Sequence, residues 1–229
     1  MADGQSTGPQ RPSRRAVQAA LRGEFPPLGA VLFVCTGNIC RSAYAAHALS
    51  SRLERTVPGR IEVASMGTQP NQALHVPPEL LELGPARGVA GLEDHAPQRL
   101  IPAAVEGADL VLTASTAHSE RVLSDAASAN RRTFTMLEFF TLVRLLDERT
   151  DGMWLQPGIG VRALAETAAR HRVLARSVMG SLELADPFGL GAEDYARMVR
   201  ALEPAVEATA SALERAVSGS GSGRPAARR

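Results

Sequence analysis

The apolar run Val31-Leu32-Phe33-Val34 passes directly into Cys35-Thr36-Gly37-Asn38-Ile39-Cys40-Arg41-Ser42, and helix-patterned sequence follows. No other feature limits the fold as strongly. A run without polar alternation suits a strand buried on both faces, the usual state of a strand in a parallel sheet. Three more short runs have strand character, at Arg60–Ser65, Asp109–Thr113 and Arg132–Met136, and the first strand is placed at Ala30–Cys35. Helical patterns separate them, at 42–55, 78–83, 100–106, 117–127, 137–147, 161–178 and 192–217. Alternating strand and helix signals predict an α/β unit: a four-stranded parallel sheet, doubly wound, with flavodoxin-like strand order 2-1-3-4. In such a unit ligands bind beyond the carboxyl ends of the strands, so the loop after the first strand is the expected site.

The 229 residues suit one such domain with tails. Residues 1–28 are read as a disordered arm with one short helical possibility at 13–22, residues 29–217 as the domain, and residues 218–229 as a flexible Gly/Ser tail. Hydrophobic residues make up 45% and charged residues 21%, which fits a soluble globular chain. All 25 basic residues are Arg, a coding bias that speaks of the source rather than the function. The tails carry seven of them, so 18 Arg face 22 acidic residues within 29–217. That balance argues against a nucleic-acid partner. No apolar run has the length of a signal peptide or membrane span, and two cysteines five apart make no disulfide framework. The expected compartment is the cytoplasm.

A loop of this kind aims successive backbone N–H groups into a concavity at a helix N-terminus, where an anion is favoured. Gly37 and Asn38 suit it because both tolerate left-handed backbone. Cys35 lies within reach of the helix dipole and of Arg41, and both favour the thiolate. Arg41 can grip two phosphoryl oxygens through its planar fork. A cysteine with an arginine six residues later is uninformative by itself in so Arg-rich a chain. The preceding buried strand, the Gly-Asn pair and the serine after Arg41 make the pattern specific.

CTGNICRS resembles the catalytic loop of the low-molecular-weight protein tyrosine phosphatases, and the resemblance extends over about residues 29–144 and 183–215. Ile61–Ser65 leading into Met66-Gly67-Thr68 is similar to the family's Ser-Ala-Gly-Thr segment, with Met66 departing. Gly91–His95 followed by Leu100, Ala108–Thr113 and Arg132-Thr133-Phe134 resemble further family segments. Asp186-Pro187-Phe188-Gly189 resembles its Asp-Pro-aromatic loop before the last helix. Departures are Ala43 where members usually have Pro, Ala46 where Glu is common, and Gln98 near a frequent Arg. Residues 145–182 form a helical insertion. Its Val161, Leu164, Ala165 and Ala168 make one amphipathic face, to be packed on the domain or used as a lid or partner surface with Trp154 as an apolar contact.

The resemblance implies a phosphomonoester hydrolase working through a phosphocysteine. Cys35 is then the nucleophile, Arg41 and the amides of residues 36–42 bind the phosphoryl oxygens, and Asp186 is the general acid and then the base. Thr36, Gly37, Asn38, Ile39, Cys40 and Ser42 form the phosphate cradle, with Ser42 also donating to the Cys35 sulfur. Phe188 lines the substrate pocket. Ser65 and His95 support the loop together with Asn38. Asp-Pro pairs are common, and Asp186 is chosen for its place before the terminal helix, where Pro187 keeps it out of α backbone. No metal or other cofactor is expected, and His47, His75, His118 and His171, which lack ligand spacing, are assigned to surface or core. Peroxide is expected to drive a reversible Cys35–Cys40 disulfide.

Expected partners are phosphotyrosine proteins, a tyrosine kinase among them. Three other readings compete. An arginine phosphatase of the same family would carry Thr where this loop has Ile39, although Phe188 is the aromatic residue such enzymes favour. A thiol-linked arsenate reductase needs further cysteines, and none follows Cys40. A non-catalytic phosphoprotein binder would have lost the nucleophile or the acid, and both are present.

Overall fold

The computed structural model describes residues 27–178, 181 and 183–219. The expected helix at 13–22 and most of both tails lie outside the described residues. Four parallel strands, β1 (Ala30–Cys35), β2 (Glu62–Gly67), β3 (Leu110–Thr113) and β4 (Thr133–Thr135), form one sheet in the order β2-β1-β3-β4. Its helices are α1 (Arg41–Glu54), α2 (Pro78–Leu83), α3 (Pro102–Gly107), α4 (Thr116–Asp125), α5 (Met136–Thr150), α6 (Val161–Arg170), α7 (Arg172–Val178) and α8 (Ala192–Val217). The α/β class, the four parallel strands and the strand order are as the sequence predicts.

Residues alternate across a strand, and β1 shows why its apolar run is unbroken. Val31 and Phe33 enter the large core shared with α1, α5 and α8. Leu32 and Val34 enter the smaller core on the opposite face, with Val105 of α3 and Val122 of α4. β1, buried on both faces, therefore fixes the point from which the loop leads into α1.

Several boundaries differ from expectation. β2 begins two residues later and reaches Gly67, because the Gly67 N–H donates to Gln98 O while Leu100 N–H donates to Gly67 O. Ser65 thus lies within the strand rather than at its end. α3 begins at Pro102, which fills the first-turn position that needs no N–H donor. The single helix expected over 161–178 is two, broken at His171. α5 continues to Thr150, so the insertion proper starts at Asp151, where left-handed backbone ends the helix.

The inserted segment is packed onto the domain. Val161, Leu164, Ala165 and Ala168 are buried in the main core. Arg172 lies 4.3 Å over the Phe134 ring, pairs with Glu138 and donates to Thr133 O, covering the outer edge of β4. Trp154 is tied by its indole N–H to Asp147, which also pairs with Arg215 of α8. Trp154, expected as an apolar contact of a lid or partner surface, is half-buried and tied to α5. No helix among the described residues is long and apolar enough to cross a membrane.

Candidate active site

The loop between β1 and α1 is held open from behind by Asn38, whose backbone is left-handed at φ 57°. Its amide nitrogen donates to Ser42 Oγ (3.0 Å) and Ser65 Oγ (2.8 Å), while its Oδ1 accepts from the Gln98 N–H (2.8 Å). This last bond fixes which way the side-chain amide points. The Asn38 carbonyl accepts from His95 Nε2 at 2.7 Å. Asn38, Ser42, Ser65 and His95 are thus brought into one network. Because position 98 acts through its backbone N–H, having Gln there leaves the contact intact.

Cys35 sits at the end of β1 with its Sγ 2.9 Å from Ser42 Oγ and 3.3 Å from the Asn38 N–H. Ser42 already accepts from Asn38, so its own hydroxyl proton is free to point at the sulfur. α1 starts at Arg41 with neither a capping side chain nor an acidic residue in its first turn. Its leading N–H groups are left for an anion in the loop.

Arg41, almost wholly buried, reaches across to the segment before α8. It pairs with Asp186 at 2.5 Å and donates to Leu184 O and Thr36 Oγ1. Leu184 N–H donates to Ala114 O at the end of β3, and Glu183 accepts from both the N–H and the hydroxyl of Thr116. These bonds fix the loop carrying Asp186 above the sheet. The Asp186 side chain is 46% exposed and Phe188 is 53% exposed at the rim. Cys35, Gly37, Ile39, Arg41, Asp186 and Phe188 line one cleft of about 170 Å³ together with Gln69, Asn71 and Leu74. Cys40 is buried at the cleft floor. Its thiol is pushed up to about 12, by burial first and by the charge of Asp186 second.

Two histidines that sequence reasoning left on the surface or in the core belong to this site. His118 Nε2 lies 2.9 Å from Thr36 Oγ1 and its Nδ1 contacts Ser115 Oγ. Thr36 accepts from Arg41, so its hydroxyl proton points to His118 Nε2, and Nδ1–H then donates to Ser115. Burial, and next the charge of Arg41, hold His118 below its ordinary value and keep it neutral. The signal was present, since Ser115-x-x-His118 is a helix-capping spacing at the carboxyl end of a predicted strand. His47 contacts His95, and nothing in the sequence links those two positions. Gln69, Asn71 and Leu74 were also missed, because the loop after β2 has no periodic signature.

A profile of the low molecular weight phosphotyrosine protein phosphatase family matches residues 30–148. Comparison with curated protein sequences gives no significant match. Solved structures similar to this chain include the YwlE arginine phosphatase from Geobacillus stearothermophilus, with 23% identity and a TM-score of 0.57 over 80% of this chain and 91% of that one. The Erwinia amylovora tyrosine phosphatase AmsI is 22% identical with a TM-score of 0.56, covering 82% and 94%. The tyrosine phosphatase Wzb from Escherichia coli K30 is 18% identical with a TM-score of 0.55, covering 80% and 96%. At these identities the likeness is one of fold.

Proposed function

Because the chain belongs to the low molecular weight phosphotyrosine protein phosphatase family, we propose that it hydrolyses phosphotyrosine in proteins through a phosphocysteine intermediate. The observation that carries this reading is the convergence of Cys35, the Arg41 guanidinium and the Asp186 carboxyl on one cleft. The tyrosine phosphates of proteins, including those of a tyrosine kinase, are the proposed substrates.

Arg41 is paired with Asp186. A substrate phosphoryl group, with more charge and more oxygens, takes over the guanidinium and the loop amides and frees Asp186 to face the leaving oxygen. The Cys35 thiolate attacks phosphorus. The phosphorus–oxygen bond breaks and the leaving oxygen takes the proton of Asp186. Asp186, now a carboxylate, takes a proton from water, whose oxygen attacks the phosphocysteine. The phosphorus–sulfur bond breaks, and inorganic phosphate leaves. Ser42 Oγ–H stabilises sulfur as thiolate at both ends of the cycle, and His118 holds Thr36, and through it one donor of Arg41, in place. The first step needs Cys35 as thiolate and Asp186 with its proton at the same time.

Initial rates on an aryl phosphate, with EDTA present, test the chemistry: wild type turns over and Cys35→Ser does not, and equal rates for the two would overturn the mechanism. Substrate class is tested by phosphotyrosyl and phosphoarginyl peptides in parallel. Ile39 in the cleft wall and the ring face of Phe188 at its rim favour an aryl group. The expected preference for phosphotyrosine is about tenfold or more in kcat/KM, equivalent to about 1.4 kcal/mol, and Ile39→Thr narrows it. A preference for phosphoarginine would assign the chain to the arginine-directed members instead.

A further inference from the structure

We propose that His47 is a positioning residue for the phosphate loop: it fixes the tautomer of His95 that donates to Asn38, and the two imidazoles hold three ring protons when all their bonds are made. The inference rests on the phosphatase reading only for its kinetic readout.

Four ring nitrogens lie in a row between two backbone carbonyls. His47 Nδ1 is 3.0 Å from Ala90 O, His47 Nε2 is 3.1 Å from His95 Nδ1, and His95 Nε2 is 2.7 Å from Asn38 O. A carbonyl only accepts, so both outer nitrogens must carry protons for the outer bonds to exist. The central bond needs one proton on one of its two nitrogens. Three bonds therefore need three protons, whereas two neutral imidazoles carry two. The fully bonded pair is a monocation.

The surroundings decide which bond is lost without the third proton. His95 is held below its ordinary value by burial first and by the charge of His47 besides, although its bond to Asn38 opposes both. The third proton belongs to the central bond between the two rings, while the bond to Asn38 keeps one proton on His95 Nε2. α1 brings Ala46 and Ser50 to the rings and β2 brings residues 63–66, none of which is charged. Glu93 and Asp94 flank His95 on its loop and are exposed. When the pair is neutral, water can satisfy the exposed residue Ala90, whereas Asn38 is fully buried and its carbonyl would be orphaned. The bond given up is the one to Ala90. His47 Nε2–H then still donates to His95 Nδ1 and leaves the His95 proton on Nε2, facing Asn38.

The backbone around His47 is set for this. Ala90 N–H donates to Ser51 Oγ one turn along α1, which holds the Ala90 carbonyl toward the ring. Gly91 has φ 78°, and a methyl group there would come within 3.3 Å of His47 Cε1 and Nδ1.

Long-range 15N NMR of the imidazoles in the full chain counts the protons directly. At about pH 5.5 the pair should show three ring N–H groups, and at about pH 8.5 two, with His95 protonated at Nε2. Two N–H groups at the lower pH, or an Nδ1–H tautomer of His95 at the higher, would overturn the proposal. In His47→Leu the His95 tautomers should mix and kcat/KM fall about three- to tenfold, the worth of one net hydrogen bond. His47→Gln places an amide N–H where Nε2 was, at every pH, and should restore both the tautomer and the rate. If His47→Leu keeps His95 wholly as Nε2–H with unchanged kcat/KM, or if His47→Gln does not rescue, His47 has no positioning role. Should the wild type hydrolyse no phosphate ester, the NMR count and the affinity for inorganic phosphate still decide the question, so the two readings fail separately.

Discussion

Asn38 concentrates more of the loop's geometry than any other residue. Its N–H, amide group and carbonyl together join Cys35, Ser42, Ser65, Gln98 and His95. Asn38→Ala removes the side-chain bonds and leaves an L-residue without a polar side chain in left-handed backbone. The expected loss is about 2–3 kcal/mol in urea unfolding, together with a fall in kcat/KM. Arg41→Ala should lower kcat/KM about a hundred- to a thousandfold, and Arg41→Lys should recover little of it, because a point charge does not replace a fork. Asp186→Asn should chiefly slow turnover of substrates with poor leaving groups, visible as a steeper dependence on leaving-group acidity. The disulfide between Cys35 and Cys40 requires Cys40 as thiolate to displace hydroxide from the Cys35 sulfenic acid. With the Cys40 thiol pushed up to about 12, closure should quicken as pH rises from about 6 to 8. Mass spectrometry after peroxide reads this, and inactivation without a crosslink at either pH would make Cys40 a buried filler instead.

At the scale of elements, the site depends on two close approaches. β2 runs behind the loop at Gly67, where a methyl group would lie 2.5 Å from Thr36 O and 3.1 Å from the Asn38 backbone nitrogen. Gly67→Ala should therefore displace the loop and reduce phosphate affinity in a calorimetric titration while the sheet persists by circular dichroism. The second approach is that of α6 to the start of β1, where any side chain at Gly29 would overlap Val161. Leu164 of α6 is fully buried, so Leu164→Ala should destabilise the whole domain by about 2–5 kcal/mol in a single unfolding transition. A packed helix leaves kcat unchanged in that variant at temperatures where it stays folded. A changed kcat would revive the lid reading of the insertion.

For the molecule as a whole, the buried neutral histidines set an acid limit on stability. His118 is held below its ordinary value in the fold, so between that ordinary value of about 6.5 and its lower folded value the unfolded chain binds a proton that the native chain does not. Its contribution is fully present above about pH 6.5 and is lost as pH falls through that window. Thermal melts between about pH 8 and 5 should show a drop in Tm that is smaller in His118→Gln, and parallel curves for the two proteins would count against a neutral, buried His118.

The sequence alone determined the fold class and the strand order, and it put the residues proposed as nucleophile and phosphate cradle in the loop after the first strand. Those follow from local rules: an unbroken apolar run demands burial on both faces, and a glycine-containing loop before a helix presents N–H groups to an anion. Asp186, the proposed acid, was singled out by the resemblance of Asp186-Pro187-Phe188 to the family's loop before the last helix. Tertiary structure decided what local rules cannot express. That Arg41 meets Asp186, that Thr36 meets His118, and that His47 meets His95 are consequences of packing elements distant in the chain. Each joins side chains whose own surroundings in sequence say nothing of the partner. The break at His171 is likewise tertiary: the helical periodicity runs through it unchanged, and Arg172 is drawn instead onto Phe134, Glu138 and the edge of β4.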